Sequence, residues 1–88
     1  MTTVRVQQGS QPHFDAVRVG VMRVGEHQGD RKARLWINGP DTHLRVDLAE
    51  GGSQHLAGHG TLTLDEVHQV DGAGGRRGEV TLSFTADD

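Results

Sequence analysis

Apolar residues recur at every second position through most of the chain. In "TTVRVQ", Val4 and Val6 flank Arg5. In "DAVRVGVMRV", Val17, Val19 and Val21 share one face and Arg18, Gly20 and Met22 the other. "KARLWIN" aligns Ala33, Leu35 and Ile37, and "THLRVDL" aligns Leu44, Val46 and Leu48 against His43, Arg45 and Asp47. "TLTL" and "EVTLSFTA" continue the pattern through Leu62, Leu64, Val80, Leu82, Phe84 and Ala86. A period of two with one polar face predicts half-buried antiparallel strands. The turn signals "EHQGD", "NGPD", "EGG", "GHG" and "DGAGGRRG" separate these runs. No stretch has the period of a long amphipathic helix. The expected fold is all-β: a single small antiparallel β-sandwich or barrel of six to seven strands spanning residues 1–88. The residues show no internal repeat and no linker.

One break in phase is informative. Val67 does not keep the alternation set by Leu62 and Leu64, and one extra residue near Asp65 or Glu66 restores it. That is the signature of a β-bulge. The run "DGAGGRRG" predicts a long, mobile glycine-rich hairpin tip that presents Arg76 and Arg77.

The hairpin over residues 31–48 can be paired from its pattern. With "NGPD" as the turn, a register that keeps apolar residues together sets Ile37 opposite Thr42, Leu35 opposite Leu44 and Ala33 opposite Val46. On the other face Trp36 then meets His43, Arg34 meets Arg45 and Lys32 meets Asp47. This register turns the only tryptophan outward and sets two arginines against each other. Like charges so placed are destabilising unless an anion lies between them. Either a neighbouring strand supplies a carboxylate (Asp65, Glu66 or Glu79) and Trp36 is covered, or Arg34, Trp36, His43 and Arg45 form a binding patch. Trp and Arg are enriched at binding hot spots, and Arg suits bidentate recognition of carboxylate and phosphate.

Charge sharpens this picture. Residues 1–45 carry a formal +3 and residues 46–88 a formal −6, giving −3 overall. Such asymmetry either marks an anion-binding half beside a solvating one or, more simply, reflects basic strands lying beside acidic ones in one sheet. A net acidic chain without interleaved aromatic and basic residues argues against nucleic acid as a partner. No apolar run reaches the ~20 residues of a membrane helix, and the first residues contain no apolar leader, so a soluble, cytoplasmic protein is expected with no membrane partner. With 88 residues the core is thin, which favours surface binding over a deep pocket. Cysteine is absent, so neither thiolate chemistry nor a disulfide is available.

Six histidines supply the remaining chemistry. His55 and His59 stand four apart, but "HLAGHG" lacks the helical context that brings such a pair onto one metal, so no metal or other cofactor is expected. The candidates for acid–base catalysis are His43, His55 and His59, with "HFD" and "DTH" placing His13 and His43 near carboxylates. The residues contain no nucleophile elbow, P-loop or dinucleotide fingerprint.

The run "LRVDLAEGGSQHLAGHGTLTLDEVHQVDGAGGRRGEVTLSFTA" resembles the C-terminal half of small uncharacterised β-sandwich proteins of actinobacteria, in its order of strand, polar turn, "L-x-G-x-G-T-L-x-L-x-x-V", glycine-rich turn and closing strand. Leu62 stands where those proteins often carry an aromatic. The resemblance implies an intracellular bacterial all-β domain and brings no catalytic residues. The expected function is that of a non-catalytic binding or adaptor module for an acidic protein segment or anionic small molecule, with a homodimer as one assembly. The alternatives are a small histidine-using cyclase or isomerase of a biosynthetic pathway and a structural subunit of a larger assembly.

Overall fold

The computed structural model describes the backbone of residues 1–72 and 75–87, and their side chains apart from those of residues 26–27, 69–72 and 75–77. Its strands are β1 (Thr2–Gln7), β2 (His13–Phe14), β3 (Val17–His27), β4 (Asp30–Asn38), β5 (His43–Ala49), β6 (Ser53–Leu56), β7 (Gly60–Gly72) and β8 (Gly75–Ala86). They form two antiparallel four-stranded sheets with orders β1-β8-β7-β6 and β2-β3-β4-β5. The protein is a small all-β sandwich. The described residues form eight strands, more than the pattern shows, because β2 and β6, with two and four residues, are too short to display a period.

The inward residues are those the alternation selects. Val19, Leu35, Ile37, Leu62, Leu64, Val80 and Leu82 are fully excluded from solvent, and the Phe14 and Phe84 rings stack at 5.4 Å. The bulge expected at residues 65–66 is present: Leu64 faces Leu82 and Glu66 faces Thr81, leaving Asp65 as the extra residue. A second bulge lies in β3, where Val21 faces Leu35, Arg23 faces Arg34, and Met22 is extra. Its sequence signal is the same, since Val21 and Val24 are both buried but stand three apart.

The chain does contain a repeat, one of structure. Exchanging β1, β2, β3 and β4 for β5, β6, β7 and β8 converts the order of one sheet into that of the other. Residues 2–14 correspond to 44–56 at constant spacing, and the two bulges coincide. The corners that lead from one sheet to the other also match. Gly9 donates to Val21 O and Val21 donates to Ser10 O; likewise Gly51 donates to Leu64 O and Leu64 donates to Gly52 O. Gly9 and Gly51 have φ of 94° and 86°, a left-handed conformation that glycine adopts without strain. The repeat is hidden in the sequence because the turns after β2 and β6 differ in length, as do the long hairpins, so no single period runs through both halves. The corresponding residues are also mostly different in kind, as with Trp36 and Ser83.

The repeat explains two part-buried polar contacts. A bulge removes one backbone N–H from the sheet ladder, and an unmet N–H in the interior is costly. Val24 N donates to Gln8 Oε1 at 3.0 Å, and Val67 N donates to Glu50 Oε2 at 2.8 Å. Gln8 and Glu50 occupy equivalent corner positions, so each half covers its bulge with its own corner side chain. Glu50→Ala is expected to cost about 1–3 kcal/mol, the penalty of an unsatisfied part-buried donor. Glu50→Gln is expected to be nearly silent, because the first half already uses glutamine. Equal urea midpoints for Glu50→Ala and wild type would remove the corner carboxylate from this role.

Candidate functional site

The outer face of the β2-β3-β4-β5 sheet carries most of the protein's exposed cations. Alternation turns Arg18, Gly20, Lys32, Arg34, Trp36, Asn38, His43, Arg45 and Asp47 away from the core, and the bulge at Met22 turns Arg23 the same way. Five of the nine basic side chains (Arg18, Arg23, Lys32, Arg34 and Arg45) therefore share one face. The described carboxylates beside them are Asp47 within the sheet and Asp30 at the hairpin end. Trp36 is half exposed in the middle, with Gly20 on one side and Arg45 on the other.

The predicted pairing of this hairpin is corrected by two residues. Ile37 faces Leu44, Leu35 faces Val46, Ala33 faces Leu48, and outward Trp36 faces Arg45 and Arg34 faces Asp47. His43 faces Asn38, not Trp36, and its Nδ1 lies 3.0 Å from Asn38 Oδ1. A shift of two keeps every side chain on its face, so hydrophobic alternation cannot distinguish the two registers. The turn and the charges decide. Residues 39–42 close through Gly39 N to Thr42 O at 2.7 Å, and Arg34 gains Asp47 in place of Arg45. The carboxylate that answers Arg34 thus comes from its own hairpin. Asp65, Glu66 and Glu79 belong to the other sheet, where Asp65 accepts from Ser83 and Glu79 pairs with Arg5 at 2.9 Å.

Arg34 holds Asp47 through Nε to Oδ1 at 2.9 Å and Nη2 to Oδ2 at 3.3 Å. The Arg34 hydrogen bond pulls the Asp47 carboxyl below its usual range, with the Arg45 and Lys32 charges adding to the effect, while Asp47 raises Arg34 in return. Both groups are solvated, so the pair positions side chains more than it stabilises the fold. The arginine clash that the first register placed at Arg34 and Arg45 occurs instead at Arg23 and Arg34, brought opposite by the β3 bulge. Asp47 answers only one of them.

Two shallow depressions lie on this face. One, of about 390 Å³, is lined by Arg23, Lys32, Arg34 and Asp47 among others. The other, of about 550 Å³, lies between Trp36, Met22, Gln11 and Arg18, over Gly20. The N-terminal segment flanks Trp36 without covering it: Pro12 O accepts from Val19 N at 2.9 Å, and Gln11 takes a 3.4 Å contact from Arg18.

The catalytic candidates do not converge. His43 stands on the cationic face. His55 lies on the outer side of the other sheet, its Nε2 3.1 Å from Asp87. His59 sits in the turn after β6, its Nε2 2.8 Å from Asp41 in the turn before β5. That contact draws Asp41 below the ordinary carboxylate range. His68 Nε2 is 3.0 Å from Glu66 but lacks hydrogen-bond geometry. Asp15 occupies a turn with φ of 54°, outside the strand geometry that would set it beside His13. Among the described residues neither depression is lined by a histidine, and no three His, Cys, Asp or Glu side chains gather as metal ligands do. The side chains of Arg76 and Arg77 lie outside the described residues.

Arg18 and Arg23 belong to this surface and escape a reading based on the hairpin alone, whereas Lys32 is on the face where that reading set it. The signal for Arg23 was the Val21–Val24 spacing. No helix among the described residues is long and apolar enough to cross a membrane. No protein-family model matches the chain, and neither a curated protein nor a solved structure matches it.

Proposed function

We propose that the protein is a non-catalytic binding module that recognises an acidic protein segment on the outer face of the β2-β3-β4-β5 sheet. The observation that carries this reading is five cations around a half-exposed tryptophan on one open sheet face. Cations concentrated on a face of a net acidic protein steer an anionic partner to that face. The Arg23–Arg34 clash is relieved when a carboxylate enters between them. Trp36 supplies a flat apolar contact at the centre.

Size sets the affinity. Strands about 4.8 Å apart, with some seven residues each at about 3.3 Å, make a face of roughly 19 by 23 Å, near 440 Å². A standard protein interface uses about 800 Å² per partner, so one face binds modestly and with strong salt dependence. The openness of both depressions favours a chain segment over an enclosed small molecule. A small polyanion seated by Arg23, Lys32 and Arg34 is the second reading, favoured by the clash of the two arginines. The histidine enzyme has less support, because His43, His55 and His59 each have a different partner.

The test is titration of a glutamate-rich peptide at low salt, followed by Trp36 fluorescence for wild type and by calorimetry for the variants. Trp36→Ala and Arg23→Ala are each expected to weaken binding at least about tenfold, with unfolding midpoints within about 0.5 kcal/mol of wild type. Undiminished binding in both variants rejects the face. If both instead unfold the protein, the face is structural. If inorganic polyphosphate binds and the peptide does not, the second reading stands.

A further inference from the structure

We propose that two copies of the chain join along β5, antiparallel and centred on Val46, to make one continuous eight-stranded sheet. Among the described residues β5 pairs only with β4, so its other edge presents unpaired backbone groups. Edge strands are commonly protected by prolines, bulges or charges that point inward. β5 has none of these: its inward residues are Leu44, Val46 and Leu48, all apolar.

The sequence of the strand complements itself. In "LRVDL", residues 44–48, the ends are Leu44 and Leu48, the inner pair is Arg45 and Asp47, and the centre is Val46. A two-fold axis through Val46 sets Arg45 opposite Asp47 of the partner subunit, and Asp47 opposite Arg45 of the partner subunit. The same operation sets Leu44 opposite Leu48 of the partner subunit. Each copy thus meets opposite charge on the solvent face and leucine on the inner face, as an isologous interface requires. The exposure gradient agrees. Leu48 is buried, Val46 is half-buried, and Leu44 remains 38% exposed in the single chain. Of the described cations on this face, Arg34 already holds Asp47, whereas Arg45 acts on it only through space.

The internal repeat provides a comparison. β1 is the counterpart of β5 and is likewise an edge. There Thr2 stands for Leu44 and Thr3 for Arg45, while Arg5, which stands for Asp47, is taken by Glu79 at 2.9 Å. Of these two edges β1 is the more polar, with its charged side chain already paired, and β5 is the self-complementary one.

Pairing of this kind sets two cationic faces side by side and doubles the surface to roughly 900 Å², about the standard size for one partner. The dimer does not depend on what that surface binds, and its test reads mass alone. Sedimentation equilibrium of the full chain from about 1 µM to 1 mM is expected to show a monomer–dimer equilibrium. Arg45→Asp and Asp47→Arg each place like charges opposite one another twice across the axis, and each is expected to raise the dimer Kd at least about tenfold. The double variant Arg45→Asp/Asp47→Arg restores opposite charges across the axis and is expected to return the Kd to within about threefold of wild type. Leu44→Lys, an inward charge at the edge, is expected to abolish dimerisation with the circular dichroism spectrum unchanged. A wild-type monomer at 1 mM overturns the proposal. So does an Arg45→Asp variant that dimerises as wild type does, or a double variant that stays as weak as the singles while folded. Trp36→Ala is expected to keep the wild-type Kd for dimerisation, which separates this surface from the binding face.

Discussion

Leu35→Ala is expected to lower the stability of the sandwich by about 2–5 kcal/mol, the range for truncating a fully buried leucine that leaves a cavity. Leu35 has no solvent exposure, and it lies between Val21 on β3 and Val46 on β5. Its counterpart in the second half is Leu82, also fully excluded, between Leu64 on β7 and Val4 on β1. The two positions should therefore lose similar amounts. A domain of this length has a total stability of roughly 5–10 kcal/mol, so either loss takes a large share and brings the protein close to unfolding at 37 °C. Val4→Ala, at a partly buried position, should cost distinctly less. Urea denaturation of the three variants checks this. A loss below about 1 kcal/mol at Leu35 would move the centre of the core elsewhere, and a large difference between Leu35 and Leu82 would break the equivalence of the halves.

Gly78→Ala is expected to cost about 3 kcal/mol, at the upper end of the usual range for overpacking. A Cβ built on Gly78 collides with Val24 Cβ and lies within 2.9 Å of both Val24 methyls. Val24 is branched at the atom that would be struck, so no rotamer change relieves the contact. The strand itself must move. Gly78 O also accepts from Gln8 N at 2.8 Å, which ties the same point to the corner that covers the β3 bulge. The contrast lies in the other half. Arg31 occupies the equivalent position, its carbonyl accepts from Glu50 N at 2.9 Å, and its guanidinium reaches Val67 O at 3.3 Å. One half thus closes this corner with a missing side chain and the other with a long one. An Arg31→Gly variant should be much milder than Gly78→Ala, and thermal midpoints compare the two directly. A Gly78→Ala midpoint equal to wild type would mean that the sheets have slack here.

Particular residues show where sequence patterning succeeds and where it stops. The strand faces follow from alternation, because a half-buried strand has no other way to hide Val19 and Val21 while exposing Arg18. The bulge at Asp65 was legible from the phase of Leu64 and Val67, and the bulge at Met22 carried an equal signal in Val21 and Val24. The outward direction of Trp36 was legible for the same reason. The partner of Arg34 was not. A shift of two residues leaves both faces intact, so the choice between Arg45 and Asp47 lies in the turn geometry and the pairing of charge, which alternation does not encode.

The sequence by itself determined an all-β chain of strands with named inner and outer faces, because side-chain direction along a strand depends only on residue number. Tertiary structure decided what those faces contain. It assembled Arg18 and Arg23 from one strand with Lys32, Arg34 and Arg45 from two others, since cross-strand neighbours are set by register and by bulges. It dispersed His43, His55 and His59, because β5 and β6 belong to different sheets and His59 lies in the turn after β6. It also revealed the repeat relation of the halves, which resides in strand order and in the Gln8 and Glu50 caps. Backbone hydrogen bonding preserves that relation where unequal turns and exchanged side chains have removed it from the order of residues.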